Sequence, residues 1–193
     1  MHPIITISGP GGSGKSTIAK ILAEKLLAKR IYVGGIRRQL ALDMGMSLAE
    51  LNEYALNHPE TDVDVDKAAA KQARDLAVNN IVIAEGRTQF YFIPESIKIY
   101  IKVDPREGAR RIWQDLQNEQ NKKQRNEGQF SNLEEVEAYQ KTRQANDLAR
   151  YKKYYNLDHT DEKQYDFVID TTHISAQEAA EKILNFIQKT LNK

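Results

Sequence analysis

A glycine-rich segment near the start of the chain carries the clearest chemistry in the sequence. Residues Gly9 to Ser16, GPGGSGKS, fit the pattern G-x-x-x-x-G-K-S/T at every fixed position. They follow a short apolar run, Ile4 to Ile7, and precede apolar side chains that recur at helical spacing. Glycines let the backbone curl until successive N–H groups surround an anion, and the following helix adds its positive N-terminal end. The sequence therefore predicts a strand, a loop that binds the phosphates of a nucleoside triphosphate, and a helix.

Individual residues of this phosphate loop have different predicted tasks. Lys15 is predicted to act in catalysis by reaching the β- and γ-phosphates, and the Ser16 hydroxyl to take a coordination position on Mg2+. Glu85, which ends the apolar run Ile81 to Ala84, could order the magnesium through water or could be a structural carboxylate. We therefore expect ATP and Mg2+ as cofactors. The residues predicted to bind the nucleotide are Gly9, Gly11, Gly12, Ser13, Gly14, Lys15, Ser16 and Thr17.

Two other classes of nucleotide-binding protein fit less well. Gly9, Gly11 and Gly14 also spell the G-x-G-x-x-G of dinucleotide-binding proteins, but the region of the second strand, Ile31 to Gly35, lacks the acidic residue that would hold a ribose. A GTP-binding switch protein would read guanine through N-K-x-D, and the nearest match, Asn121 to Gln124, lacks the aspartate. The pattern favours a phosphoryl-transfer enzyme.

Several arginines are spaced to hold a second charged group opposite the triphosphate. Arg38 and Arg87 each follow a predicted strand, and parallel α/β sheets bind ligands at the carboxyl ends of their strands. Arg143, Asp147 and Arg150 lie at i, i+4 and i+7, so they share one face of a predicted helix. Those three could form a surface ladder of ion pairs. Together with the phosphate loop they favour a site for a phosphorylated acceptor, because transfer between two such groups needs cations on both.

Composition limits the class of protein. The chain has 193 residues, 40% hydrophobic and 28% charged, which is typical of one globular domain spanning residues 1–193. Its formal net charge of +1 provides no general attraction for nucleic acid, and the absence of cysteine excludes disulfides and thiolate metal sites. No apolar run is long enough to span a membrane, and the first residues do not resemble a signal peptide. We expect a cytoplasmic monomer whose partners are small molecules, with no membrane and no nucleic acid.

Apolar runs alternate with helical periodicities from end to end, which predicts an α/β fold. Besides the first strand, the expected strands lie near 31–35, 81–84, 97–103 and 167–169. Each is a short apolar or alternating run of the kind found in buried sheets.

Three features mark the predicted helices and loops. Capping boxes are predicted where a serine precedes a glutamate by three residues, at Ser47, with a helix running to about Asn57, and at Ser175. Asp62, Asp64 and Asp66 are expected to be carboxylates at the start of a helix. The strongly polar stretch 114–132 is either a solvated surface segment or a mobile lid, because active-site covers come from weakly packed parts of a fold.

With these motifs, the chain resembles the cytidylate kinase group of nucleoside monophosphate kinases, in particular its archaeal-type branch. The resemblance covers nearly the whole length. Besides the phosphate loop it rests on five segments, 34–38 (GGIRR), 44–48 (MGMSL), 85–87 (EGR), 143–151 and 165–171 (YDFVIDT). It implies a three-layer α/β/α P-loop kinase fold with a five-stranded parallel sheet. It further implies a helical insertion that binds the acceptor, at about residues 36–79, and a lid at about residues 113–150.

The resemblance also implies roles for particular residues. Arg38 and Arg87 would grip the acceptor monophosphate, with Gly34 in the same segment as Arg38. Arg143 and Arg150 would act in catalysis from the lid or the acceptor site. Two acidic residues complete the predicted acceptor site: Asp147, near the pyrimidine or its ribose, and Asp66.

The implied reaction is ATP- and magnesium-dependent phosphoryl transfer to a nucleoside monophosphate, with CMP or dCMP as the expected acceptor. Val33, Arg37 and Thr88 depart from the pattern of the group, and they leave the identity of the acceptor base open. Two alternatives therefore remain at this point. One is a kinase of another small acceptor, and the other is a nucleotide-binding regulatory or RNA-associated protein without turnover, suggested by the basic residues in 122–125.

Overall fold

A computed structural model describes residues 1–192, and its centre is a five-stranded sheet. All neighbouring strands are parallel, and their order is β2-β3-β1-β4-β5. The strands are β1 (Ile4–Ser8), β2 (Lys29–Tyr32), β3 (Val82–Glu85), β4 (Ile97–Lys102) and β5 (Phe167–Asp170). In the register of the central pair, Ile7 lies opposite Glu85. The carboxyl ends of β1 and β3 therefore meet at one edge of the sheet, where the phosphate loop begins.

Helices cover both faces of the sheet, as the three-layer prediction required. Within residues 1–192 the α-helices are α1 (Lys15–Leu26), α2 (Val33–Asp43), α3 (Leu48–Tyr54), α4 (Glu60–Ala77), α5 (Gln89–Phe92), α6 (Pro105–Leu116), α7 (Glu119–Arg125), α8 (Leu133–Tyr155) and α9 (Ala176–Leu191). One face carries a cluster in which Ile5 and Ile83 pack with side chains of α1 and α9. Alternate residues of the same strands, Ile4 and Val82, pack against α4 on the other face.

The capping signals were confirmed at one helix start and half confirmed at the other. At α3 the Ser47 hydroxyl accepts from the Glu50 N–H, and the Glu50 carboxylate accepts from the Ser47 N–H at 2.7 Å. At α9 the Ser175 hydroxyl accepts from the Glu178 N–H, but the Glu178 carboxylate pairs with Lys182 one turn on. Helix α3 ends at Tyr54, before the predicted end near residue 57.

The second strand is shorter than the prediction. Strand β2 ends at Tyr32 and α2 begins at Val33, so Arg38 does follow the second strand, and both Gly34 and Arg38 lie on the helix that comes directly after it. The glycines at 34 and 35 were expected in the region of the second strand, and in the structure they allow close packing. A Cβ atom at Gly35 would lie 2.6 Å from the Tyr32 ring, so glycine lets the first turn of α2 lie against that ring.

The polar stretch 114–132 contains regular structure. It includes the end of α6 and all of α7, whose first turn is capped by the Asn118 side chain. Leu48 donates its backbone N–H to the Asn126 carbonyl at 2.8 Å, which joins this stretch to the start of α3. Over residues 1–192, no helix is both long enough and apolar enough to cross a membrane.

Candidate active site

A cleft of about 1150 Å³ opens at the carboxyl ends of β1, β2 and β3. It is lined by residues of the phosphate loop, α2, the end of β3, α7 and the middle and end of α8. Most of the predicted site residues line it, namely Gly11, Gly12, Gly14, Lys15, Ser16, Thr17, Gly34, Arg38, Asp66, Glu85, Arg87 and Arg143. Gly9, Ser13, Asp147 and Arg150 are not among the lining residues of the described chain.

The phosphate loop has the curled backbone that an anion-binding loop requires. Gly9, Gly12 and Gly14 have φ angles of 145°, 74° and 83°, in the region that favours glycine. A Cβ atom at Gly12 would lie 2.2 Å from the Gly108 carbonyl, so the loop fits against α6 only with glycine there. Helix α1 starts at Lys15 without a side-chain cap on its first N–H groups. Those N–H groups and the positive end of the helix are therefore available to phosphate oxygens.

Lys15 is held at the mouth of this loop by a hydrogen bond from its Nζ to the Pro10 carbonyl at 2.7 Å. The pKa of its ammonium group is lowered to about 7, first by burial and then by the positive charge of Arg87, with Arg143 and Arg38 adding to this effect and Glu85 opposing it. Four cationic groups thus lie along one cleft. A phosphate group placed there would relieve the repulsion and restore the ordinary charge on Lys15.

The Ser16 hydroxyl donates to the Glu85 carboxylate at 2.5 Å, which joins the two predicted magnesium residues directly. The other carboxylate oxygen of Glu85 accepts from Arg30 of β2, at 2.5 Å from Nη2 and 3.2 Å from Nε. Hydroxyl and carboxylate oxygens are ligands that Mg2+ accepts, with phosphates and waters completing its shell. The pair therefore fits such an ion, although no cluster of three or more acidic or histidine side chains suited to a metal occurs within residues 1–192. The sequence did not single out Arg30.

Arg38 makes a hydrogen bond through every nitrogen of its guanidinium group. Its Nη1 donates to the Tyr32 hydroxyl at 2.6 Å and to the Gly34 carbonyl at 3.0 Å. Its Nε donates to the Arg125 carbonyl at 2.9 Å, and its Nη2 to the Glu127 carboxylate at 3.2 Å. The predicted acceptor-binding arginine is thus tied to both β2 and the polar stretch after α7.

Glu127 is a buried carboxylate among three arginines, and no motif pointed to it. Arg143 of α8 donates to it at 2.7 Å, and Arg125 lies 3.9 Å away. Burial alone would raise the pKa of Glu127, but the charges of Arg143, Arg125 and Arg38 outweigh this effect and hold the pKa at about 2. The carboxylate is therefore ionised at any pH at which the protein would be studied.

Arg150 is buried beneath the cleft rather than exposed in it. Its side chain is 0% exposed and pairs with Asp147, with Asp62 at 3.0 Å and with the Asn52 carbonyl at 2.8 Å. Asp147 in turn pairs with Arg87 at 2.8 Å. The alternative of a surface ion-pair ladder was therefore wrong, because Asp147 and Arg150 are inside. The burial of Arg150 also conflicts with a direct role in catalysis, since its side chain does not reach the cleft in this conformation.

The three aspartates near the start of α4 differ from the simple prediction of helix-start carboxylates. Only Asp64 is exposed, whereas Asp62 pairs with Arg150 and with Arg37. Asp66 accepts from Gln89 and from the Tyr155 hydroxyl, each at 3.1 Å. Burial raises the pKa of the Asp66 carboxyl, and these hydrogen bonds oppose that rise only in part. The carboxylates of Asp62 and Asp66 are thus held at the base of the cleft by side chains from other helices.

His159 lies close to Arg87 and Asp147 and is buried as a neutral side chain. Its ring packs edge-on against Tyr151 with 5.0 Å between centroids, and its Nδ1 has no hydrogen-bond partner in the part of the chain that the structure describes. Burial lowers the pKa of His159 to about 4, and the positive charge of Arg87 adds to this effect.

The pKa of His159 predicts a loss of stability in mild acid. The unfolded chain binds a proton near the ordinary histidine pKa of ~6.5, whereas the folded protein binds it only near pH 4. The free energy of unfolding should therefore fall as pH decreases from ~6.5 to ~4, by up to about 3 kcal/mol. Urea unfolding at several pH values measures the slope. The variant H159Q should flatten this slope and H173Q, at an exposed histidine, should not; an unchanged slope in H159Q would contradict the assignment.

The parallel sheet with its phosphate loop defines the class of protein as a P-loop kinase fold. Solved structures with low sequence identity show the same fold. Shikimate kinase from Acinetobacter baumannii superposes with a TM-score of 0.59 at 19% identity, over 100% of this chain and 97% of that one. An uncharacterized protein from Eubacterium ventriosum gives a TM-score of 0.61 at 19% identity, over 97% and 99% of the two chains. The family described as "AAA domain" matches residues 5–140.

Sequence comparison identifies the family within this class. The cytidylate kinase of Archaeoglobus fulgidus is 34% identical over 185 residues, which cover 95% of this chain and 94% of that protein. The cytidylate kinase of Methanocella arvoryzae is 35% identical over 191 residues, covering 96% and 97%. The chain therefore belongs to the cytidylate kinase family, as the motifs had predicted.

Proposed function

We propose that this protein transfers the γ-phosphoryl group of ATP to a nucleoside monophosphate, CMP or dCMP, in a magnesium-dependent reaction. The observation that carries the proposal is the cluster of Lys15, Arg38, Arg87 and Arg143 around one cleft that begins at the phosphate loop. The lowered pKa of Lys15, caused first by burial and then by the charge of Arg87, fits a site built for two phosphorylated ligands at once. The relatives named cytidylate kinase support the choice of acceptor.

In this proposal, the residues of the cleft have separate tasks. The N–H groups of the phosphate loop and Lys15 hold the triphosphate, and Arg87 and Arg38 hold the acceptor phosphate. Arg143, on the lid helix, lies on the cleft and neutralises charge on the transferring group. Ser16 and Glu85 would hold magnesium, which when bound supplies positive charge to the β- and γ-phosphates. Asp66 contacts the acceptor, while Asp147 and Arg150 position Arg87 and the wall of the cleft from below.

The same proposal divides the domain into parts. Residues 36–79, which include α3, α4 and most of α2, form the acceptor-binding insertion, and residues 113–150 form the lid. The contacts of Arg38 with the Arg125 carbonyl and Glu127 connect these two parts across the cleft.

A panel of acceptors tests the function. Release of ADP is measured by a coupled assay with ATP, Mg2+ and each of CMP, dCMP, UMP, AMP and GMP. Clear preference for CMP or dCMP is the expected result. Transfer to none of the five would overturn the proposal and leave a nucleotide-binding protein with a different acceptor or without turnover.

Replacing Arg87 by alanine should weaken use of the acceptor. Arg87 is half-buried at the end of β3 and lines the cleft, and a charged hydrogen bond to phosphate is worth enough to raise the KM for CMP roughly 10- to 100-fold. The KM for ATP should change little. Steady-state kinetics with each substrate varied in turn measure both constants. The matched control is R74A, which removes an exposed arginine paired with Glu95; a rise confined to the KM for ATP would place Arg87 on the donor side.

A further inference from the structure

Tyr32 is the last residue of β2, and it stands at the edge of the sheet where the proposed acceptor site begins. In the register of β2 and β3 it lies opposite Glu85, so both residues are at the carboxyl ends of their strands, where parallel sheets bind ligands. Tyr32 is also among the residues that line the cleft. A polar group on this side chain is therefore within reach of a ligand bound there.

The ring of Tyr32 is held in place by its neighbours. The guanidinium carbon of Arg30 lies 4.8 Å from the ring centroid and that of Arg38 lies 5.8 Å from it, distances at which a cation is attracted to an aromatic face. The first turn of α2 packs closely on the ring, since a Cβ atom would lie 2.9 Å from it at Gly34 and 2.6 Å at Gly35. The position of the hydroxyl group is thus set before any ligand binds.

The hydroxyl group of Tyr32 has an unused hydrogen-bond donor. Its oxygen accepts from Arg38 Nη1 at 2.6 Å. A tyrosine hydroxyl can accept and donate at the same time, yet its hydrogen has no acceptor within residues 1–192. This hydrogen is therefore available to a ligand that lies beside Arg38.

Arg38 itself has little left to offer a phosphate. Of the five N–H donors of a guanidinium group, four are used inside the protein. Their acceptors are the Arg125 carbonyl, the Tyr32 hydroxyl, the Gly34 carbonyl and the Glu127 carboxylate. One N–H group on Nη2 remains, whereas a phosphate group presents three acceptor oxygens. A second donor next to Arg38 would meet part of this difference.

We propose that the Tyr32 hydroxyl is a further ligand of the acceptor phosphate and donates its hydrogen bond to a phosphate oxygen beside Arg38. The kind of acceptor rests on the proposed function, whereas the position of the phosphate rests on the contacts of Tyr32. Because Arg38 Nη1 occupies a lone pair of the hydroxyl oxygen, the hydrogen points away from the guanidinium group. The bond from a cationic donor also polarises the hydroxyl and strengthens it as a donor.

The variant Y32F tests this inference because it removes only the hydroxyl and keeps the ring between the two arginines. The Kd for CMP, measured by calorimetry with ADP present to fill the phosphate loop, should rise roughly 10- to 100-fold, the usual effect of a hydrogen bond to a charged group. The Kd for cytidine, which lacks the phosphate, should stay the same in competition with CMP. The matched control is Y91F, at a tyrosine that is 45% exposed and does not line the cleft; it should alter neither constant.

Two results with Y32F would overturn the proposal. An unchanged Kd for CMP would show that the hydroxyl makes no contact with the acceptor. Equal weakening of CMP and cytidine binding would show that it supports the shape of the site rather than the phosphate.

A double variant separates direct binding from an effect through Arg38. R38K keeps a cation but lacks the fork that holds the hydroxyl. If the hydroxyl binds the phosphate itself, adding Y32F to R38K should raise the Kd for CMP again, by several-fold. No further rise would mean that Tyr32 acts only by positioning Arg38, and the proposal would fail.

The natural protein separates failure of this inference from failure of the proposed function. If it binds none of the nucleoside monophosphates, the acceptor assignment fails, and inorganic phosphate replaces CMP as the probe, again with ADP present. A higher Kd for phosphate in Y32F than in the natural protein and Y91F would then still support the hydroxyl as a phosphate ligand. Equal Kd values in the three proteins would refute it.

Discussion

Replacing Lys15 by alanine is expected to abolish measurable phosphoryl transfer while leaving the fold intact. Loss of a single preorganised charge at a developing anion lowers rates on the order of 100- to 1000-fold. The effect on stability should be small, because the ammonium group makes one hydrogen bond, to the Pro10 carbonyl, and suffers repulsion from three arginines. The free energy of unfolding of K15A should lie within about 1 kcal/mol of the natural protein.

The coupled assay and thermal unfolding of the same preparation check both parts of this result. K20A is the matched control, since Lys20 is an exposed lysine on the same helix. A K15A protein that transfers phosphate at the natural rate would refute the role of the phosphate loop. A large loss of thermal stability would show instead that Lys15 is structural.

Replacing Arg150 by alanine should cause the largest loss of stability among single substitutions near the site. The change leaves Asp62 with its partner Arg37 alone and Asp147 with Arg87 alone, and it removes the donor to the Asn52 carbonyl. Removing one partner from a buried ion pair costs about 3–5 kcal/mol, which corresponds to a drop in Tm of roughly 10 °C.

Thermal and urea unfolding of R150A measure this loss, with K141A as an exposed control on the same helix. The variant R150K keeps the charge but lacks the fork that joins two aspartates, so an intermediate loss is expected. Natural stability combined with a large fall in kcat would instead restore the original prediction that Arg150 acts in catalysis. The two roles are thus separable by measuring stability and turnover on one protein.

Prediction from sequence succeeded where the determining interactions are local. The phosphate loop, the strand before it and the helix after it were all placed correctly, because glycine spacing and apolar periodicity are properties of neighbouring residues. The family was also identified from short motifs, and the comparisons with cytidylate kinases confirm it. The second strand was expected near residues 31–35, whereas it ends at Tyr32 and α2 begins at Val33, because the packing of Gly34 and Gly35 on the Tyr32 ring is a tertiary contact.

The residues that the sequence missed have partners far along the chain. Glu127 meets Arg38 across 89 positions, and Arg30 meets Glu85 across 55. Helical spacing showed that Arg143, Asp147 and Arg150 share a face, but not that this face turns inward against Asp62 and Asn52. The specific roles assigned to the site residues stay predictions, and the variants above test those of Lys15, Arg87 and Arg150.

The buried contacts of Arg150 also determine which parts of the molecule can move independently. This one side chain of α8 bonds to α3 through Asn52 and to α4 through Asp62, besides pairing with Asp147 of its own helix. Separating these helices would expose unpaired charges, so the bonds of Arg150 oppose any movement of the second half of α8 away from α3 and α4. An opening of the cleft that keeps these bonds would therefore leave the second half of α8 in place against α3 and α4.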